Sequence, residues 1–305
     1  SVSIYSLEDY SLIRRFGKLG DNPGDFRFHP HLTAYPDHLL VGNMGKLSIF
    51  TRDGDFIEEK TIPFTYFYMY YPMLPVGDKH VGFNLKKINR EEYVFTGILY
   101  DTDFNPIKEF YEGGPPQLLP PPKPGTQLPG KVEYEPIFDC LDVAVYEDRI
   151  YVADTRKGFH IEVYDQEANL LSTIHKNYEK IELPQILKDE YMENIRRSPD
   201  SEDLLNRFNY KFREYFPAFF SFKIRDKKMY FTTYAQEDGR FELVETDMQG
   251  KVLDRSFVFP LPPLRRLSSS LNSYTADYDL RRGNLYYLEK APGAQDFLLH
   301  RIDLN

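Results

Sequence analysis

Between Asp142 and Ile174 the chain reads as four short apolar runs separated by polar turns. Val143 and Val145 alternate with smaller or polar neighbours, and Ile150, Val152 and Ala153 form a second run. Ile161, Val163 and Tyr164 form a third, and Leu170 to Ile174 a fourth. Runs of this length at period two predict strands, and Glu147-Asp148 and Asp165 to Asn169 predict the tight turns between them. A four-stranded meander cannot bury both faces alone. Copies of it must therefore stack face to face, as blades do around a propeller axis.

The same pattern recurs along the chain. Val2 to Leu7 and Ser11 to Phe16 predict a strand pair, followed by a glycine-rich connection over 17–26. A first full blade is expected from His31–Tyr35, Leu39–Gly42, Lys46–Phe50 and Phe56–Ile62. A second runs through Tyr66–Leu74, His80–Leu85, Val94–Tyr100 and Pro106–Tyr111, and the reference stretch is the third. The fourth is expected at Ala218–Ile224, Met229–Thr233, Phe241–Glu245 and Val252–Phe259, and a fifth set ends after Tyr274–Leu280, Asn284–Glu289 and Phe297–Ile302. Two insertions interrupt the series. Residues 113–130 are proline-rich, too rigid for a helix and without strand periodicity. Within 184–213, Leu187, Tyr191 and Ile195 fall at four-residue spacing, and Leu204, Leu205, Phe208 and Phe212 repeat the pattern, which predicts two short amphipathic helices. Removing the insertions brings the two longest intervals between inner turns towards about 40–50 residues, the period of a propeller repeat, so the repeat is degenerate. The whole chain, 1–305, reads as one all-β propeller domain of four-stranded antiparallel blades with a helical insertion. Its incomplete ends suggest closure of the ring by Ser11–Phe16 beside Phe297–Ile302, which counts five blades.

Phe16, Gly17, Gly20, Pro23, Gly24 and Phe26 match a phrase that leads into the innermost strand of NHL-type repeats. Tyr215-Phe216-Pro217-Ala218-Phe219-Phe220 precedes the fourth inner strand in a similar way. On these residues the chain resembles bacterial NHL-like and TolB-like propellers. That resemblance implies six blades and a periplasmic or secreted location, with the cytoplasm left open. It carries no catalytic residue with it.

Composition narrows the reading. Twenty-four Tyr and 24 Phe with no Trp suit packing between sheets. A net charge of −9 and a pI near 5.4 leave no basic face for nucleic acid or an anionic membrane, and no apolar run is long enough to span a bilayer. The single cysteine, Cys140, excludes an internal disulfide and lies in an apolar run, as an inert buried thiol would. The chain is read as a monomer.

Sorting loops by blade topology puts minimal turns on one face and every long connection on the other, which is where a rigid scaffold carries its binding residues. Candidate ligand-binding residues at that mouth are His29, His31, Asp139, Asp142, Asp154, Arg156 and Asp277, with Tyr66 and Tyr68 as a stacking row. Imidazole and carboxylate there suit a divalent cation, with His31 and Asp154 the candidates. His, Asp and Arg together suit an anionic or sugar-like ligand. Each has a plainer alternative: Asp154 accepting hydrogen bonds from its own loop, the histidines shaping a strand entry, the tyrosines packing between blades. No phosphate loop, nucleophile elbow or zinc-protease helix is present. The leading expectation is a non-enzymatic module that presents its loop-rich face to a protein, peptide or glycan. The alternative is a metal-dependent hydrolase or lyase at the channel mouth.

Overall fold

The computed structural model describes residues 1–6, 8–9, 11–27, 30–43, 45–62, 73–87, 93–113, 130–259, 278–281, 283–290 and 297–304. The fold class is the all-β propeller, built from four-stranded antiparallel blades. After a strand pair, β1 (Val2–Tyr5) and β2 (Leu12–Phe16), the first blade is β3 (His31–Ala34), β4 (His38–Asn43), β5 (Lys46–Thr51) and β6 (Phe56–Thr61). The second is β7 (Leu74–Val76), β8 (Lys79–Lys87), β9 (Tyr93–Tyr100) and β10 (Pro106–Gly113). A short strand, β11 (Val132–Tyr134), leads to the third: β12 (Leu141–Tyr146), β13 (Arg149–Asp154), β14 (Phe159–Tyr164) and β15 (Leu170–Lys176). Then come α1 (Gln185–Arg197), α2 (Ser201–Arg207) and β16 (Phe208–Tyr210), and the fourth blade, β17 (Ser221–Arg225), β18 (Lys228–Glu237), β19 (Arg240–Asp247) and β20 (Val252–Phe259). The last sheet has three described strands, β21 (Tyr278–Arg281), β22 (Asn284–Lys290) and β23 (Phe297–Asp303).

Five blade sheets are therefore present among the described residues, and β2 is paired with β1. The sixth blade implied by the resemblance is not among them. The described part of the second inner strand is Leu74–Val76, and 63–72, with Tyr66, lie outside the described residues. Phe208 and Phe212, expected on the second helix, are not helical. Phe208 turns extended at φ −118°, ψ 140° and starts β16, which pairs in parallel with β11. The period-two Phe-Asn-Tyr suits that strand, and three ladder pairs override the helical spacing.

The chain divides into two compact units, one of 1–116, 145–150 and 164–171, the other of 117–144, 151–163 and 172–305. In the first, Leu40, Leu47, Ile98 and Tyr100 form one buried cluster and Phe16, Phe26, Val41 and Phe50 another. The glycine-rich connection is shaped by the second cluster. Gly17 has φ +67°, and a Cβ there would collide with the ring of the buried Phe26. That is why glycine precedes this phrase. Lys46, almost fully buried, pairs with Glu59 at 2.8 Å and points its ammonium at the carbonyls of Asp21 and Asn22, so the connection is fastened to β5.

One turn is repeated where the third strand passes to the fourth. In each of the four complete blades the residue at its fourth position has positive φ: Gly54 (87°), Phe104 (64°), Ala168 (56°) and Gly250 (80°). Thr51 Oγ1 and the carboxylates of Asp101, Asp165 and Asp247 accept from backbone N–H groups inside these turns. Within the first unit an outer strand also reaches the next such turn. Arg14 meets Asp55 at 2.7 Å and Lys60 meets Asp103 at 3.3 Å, while the Lys108 ammonium donates to the carbonyls of Glu167 and Ala168.

Candidate binding site at the entry to the third and fourth blades

All the groups below belong to the second unit. The connections into the third and fourth blades meet at the β11–β16 pair, and the helical segment packs into a cluster that it shares with Ile137 and with Tyr234 of β18. Leu187, Tyr191 and Ile195 of α1 turn inward at helical spacing onto Ile137, Leu183 and Phe216, with Leu204 and Leu205 of α2 packed against them. Tyr191 and Ile195 are buried, whereas Ile186 is 64% exposed, and Asp189, Glu190, Asn194 and Arg197 also face water. Arg196 and Arg197 close the last turn of α1, where cations complement the helix dipole. This segment is a cap with a packed inner side and a mixed-charge outer side.

Arg213 ties the cap to the third blade. Its guanidinium donates two hydrogen bonds to Asp139, at 3.1 and 3.0 Å, and its Nε donates to Glu135. Both side chains of the Arg213–Asp139 pair are about one-fifth exposed. Burial works against the arginine's charge, but the hydrogen bonds it donates to Asp139 and Glu135 outweigh it and hold the guanidinium more firmly protonated. Asp139 also accepts from the Thr155 hydroxyl at 3.1 Å, and Thr155 brackets Cys140: its Oγ1 accepts from the Cys140 N–H at 2.7 Å and its own N–H donates to the Cys140 carbonyl at 2.9 Å.

Asp154 is buried and caps a one-turn 3-10 helix over Thr155–Lys157. Its Oδ1 accepts from the backbone N–H of Arg156 at 3.1 Å, which is the local role that its position at a strand end suggests. The Arg156 side chain then closes on both carboxylate oxygens, at 2.8 and 2.7 Å.

Deeper along the inner strands, Asp142 on β12 accepts from its neighbour Val143 at 2.9 Å and from the Phe222 N–H of β17 at 3.2 Å. Burial raises its pKa, partly offset by Lys223 and by these two hydrogen bonds. Tyr278, at the start of β21, shares a buried hydroxyl triad with Ser221 at 3.1 Å and Thr232 at 3.0 Å. Burial pushes its pKa up to about 12. The Lys223 ammonium sits 5.0 Å from the Tyr278 ring centroid. The Cys140 thiol is pushed well above its ordinary value by burial and then by Asp142, Asp154 and Asp139.

Of the residues singled out in the sequence, Asp139, Asp142, Asp154 and Arg156 thus fall in one polar region of the second unit. His31 opens β3 of the first unit opposite Gly42 and is half-buried. His29, Tyr66, Tyr68 and Asp277 lie outside the described residues. Among the described residues no three His, Cys, Asp or Glu side chains gather in a metal-binding arrangement. Sequence reading missed Arg213, Glu135, Thr155, Lys223 and Tyr278. Asp139 offered the one signal, since a carboxylate at a blade entry calls for a cation from another connection.

No protein-family model matches the chain, and no curated protein matches it in sequence. Solved structures are similar at low level. The WD40 domain of Neurospora crassa Pan2 is 9% identical with a TM-score of 0.41, over 90% of this chain and 62% of that one. The β-propeller domain of the Trilobed protease from Pyrococcus furiosus is 14% identical with a TM-score of 0.39, over 88% and 66%. A putative TolB from Agrobacterium tumefaciens is 11% identical with a TM-score of 0.35, over 90% and 76%. The chain spans less than two thirds of the Pan2 chain, and at scores this low none of these likenesses carries an argument about its function.

Proposed function

We propose that this chain is a non-enzymatic binding module that offers the surface of its helical cap and adjoining loops to a protein, peptide or glycan. The observation that carries the reading is the cap itself. A connection between blades needs a few residues, whereas 181–216 build two helices, a strand and most of a buried cluster, with an outward face of Ile186, Asp189, Glu190 and Arg197. The chemistry beneath it supports the same reading. Asp139, Glu135 and Asp154 are spent on arginines, and Cys140 is held as an unreactive thiol. The NHL-like phrase at Phe16 to Phe26 supports membership of an exported propeller group, with a periplasmic or secreted location. The test is a peptide and glycan array probed with the intact protein and with an Ile186→Asp, Glu190→Lys, Arg197→Glu variant. Loss of at least tenfold in signal with an unchanged melting temperature is expected, and equal binding by both overturns the reading.

A second reading, a hydrolase or lyase, draws on Asp142, whose carboxyl is lifted by burial beside Lys223 and Tyr278. Turnover of a generic ester, glycoside or uronide panel that disappears in Asp142→Asn would favour it over the binding module.

A further inference from the structure

A second titratable cluster lies on the turn side of the first unit, apart from the groups described above. Tyr35, at the end of the first inner strand, places its Oη 2.8 Å from Nδ1 of His80 on β8. The His80 ring lies flat on Phe104, centroids 4.2 Å apart and planes 17° apart. Tyr35 is itself stacked on His38 at 4.4 Å, and His38 Nδ1 meets Asp37 at 2.8 Å. Arg52 donates to the Tyr35 carbonyl at 2.6 Å, so the tyrosine is held at both ends. Three turns, one from the first blade and two from the second, are joined through one imidazole.

We propose that the Tyr35–His80–Phe104 stack is an acid-sensitive clasp between the first and second blades, closed while His80 is neutral and loosened when it takes up a proton. In the closed state Nδ1 is an acceptor for the Tyr35 hydroxyl. Protonation turns Nδ1 into a donor, and the tyrosine must swing its proton towards the Met73 carbonyl, 3.5 Å away. The new charge is also badly placed. His38 from the β3–β4 turn and Lys60 from β6 face it as cations, and the Lys60 ammonium already lies 5.4 Å from the Phe104 ring. Asp101 from the β9–β10 turn and Asp78 beside His80 are the opposing acids. Burial first, and then those cations, lower the His80 pKa to about 4. The folded chain therefore binds this proton more weakly than the unfolded chain does. The stability it contributes is complete above pH 6.5 and is lost as pH falls towards 4.

The test follows two quantities in the intact protein, from pH 7.5 down to about one unit below the His80 midpoint: the histidine Hε1 NMR titrations and hydrogen exchange across 31–40 and 73–82. The His80→Gln variant assigns the signal. The clasp predicts a His80 midpoint well below that of an ordinary histidine. It also predicts amide protection in both segments that falls by about tenfold more in the wild type than in His80→Gln, after allowance for partial exposure. Tyr35→Phe, which keeps the ring and removes the hydroxyl, should raise the His80 midpoint. A midpoint near 6.5, or protection that falls equally in wild type and His80→Gln, overturns the proposal.

Discussion

The connection into the first blade and those into the third and fourth do the same topological work by different means. The glycine-rich part of the first, 17–26, is closed by steric fit: Gly17 under the Phe26 ring, with Lys46 fastening the carbonyls of Asp21 and Asn22. Its buried polar contacts run through the backbone, while Lys18, Asp21 and Asn22 keep exposed side chains. The later connections are wired by side chains. They form the β11–β16 pair, fold a core around Tyr191 and Ile195, and are clipped to the blade by Arg213. Where a connection is minimal its chemistry is consumed by the fold. Where it is elaborated, a second surface appears, and that surface is the one proposed for binding.

The largest expected effect is at Gly17. An alanine there combines a left-handed backbone with a clash against Phe26, and should cost roughly 2–4 kcal/mol by chemical denaturation. A cost below 1 kcal/mol would mean that the first connection is not a steric fit. Arg213→Ala should cost about 2 kcal/mol, because it strands Asp139 and Glu135 in a half-buried position. Arg213→Lys should recover only a minor part, since an ammonium cannot bridge two carboxylates with the same fork. The smallest effect is at Ala168, whose φ of 56° suits glycine. Ala168→Gly should be neutral or stabilising by about 0.5–1 kcal/mol, a shift measurable in the midpoint of urea unfolding.

The third blade was legible because its strands alternate cleanly and its turns carry Asp and Asn where the backbone needs a local acceptor. The repeated turn was harder to read. Phe104 and Ala168 hold the positive φ that Gly54 and Gly250 hold in the other blades, and neither residue type announces it. The β11–β16 pair was invisible for a different reason: three residues at each end of a long separation leave no periodicity, so Phe208 looked like a helical position. Asp154 could be read as a local cap because its partners lie within two residues. The partner of Asp139 is Arg213, and a charge drawn from a distant connection looks like any solvated residue in the sequence.

The helical segment is clipped to the entry of the third blade by Arg213 and rests on Tyr234 of the fourth, so losing the clip should free the segment without opening the third blade itself. Native-state hydrogen exchange compares it most directly, with the amides of 187–197 followed against those of 150–153 in the wild type and in Arg213→Ala. The account predicts that the substitution lowers protection in α1 by at least tenfold while protection in β13 stays within a factor of two or so. Equal loss in both segments would show that cap and blade open together, and would contradict it.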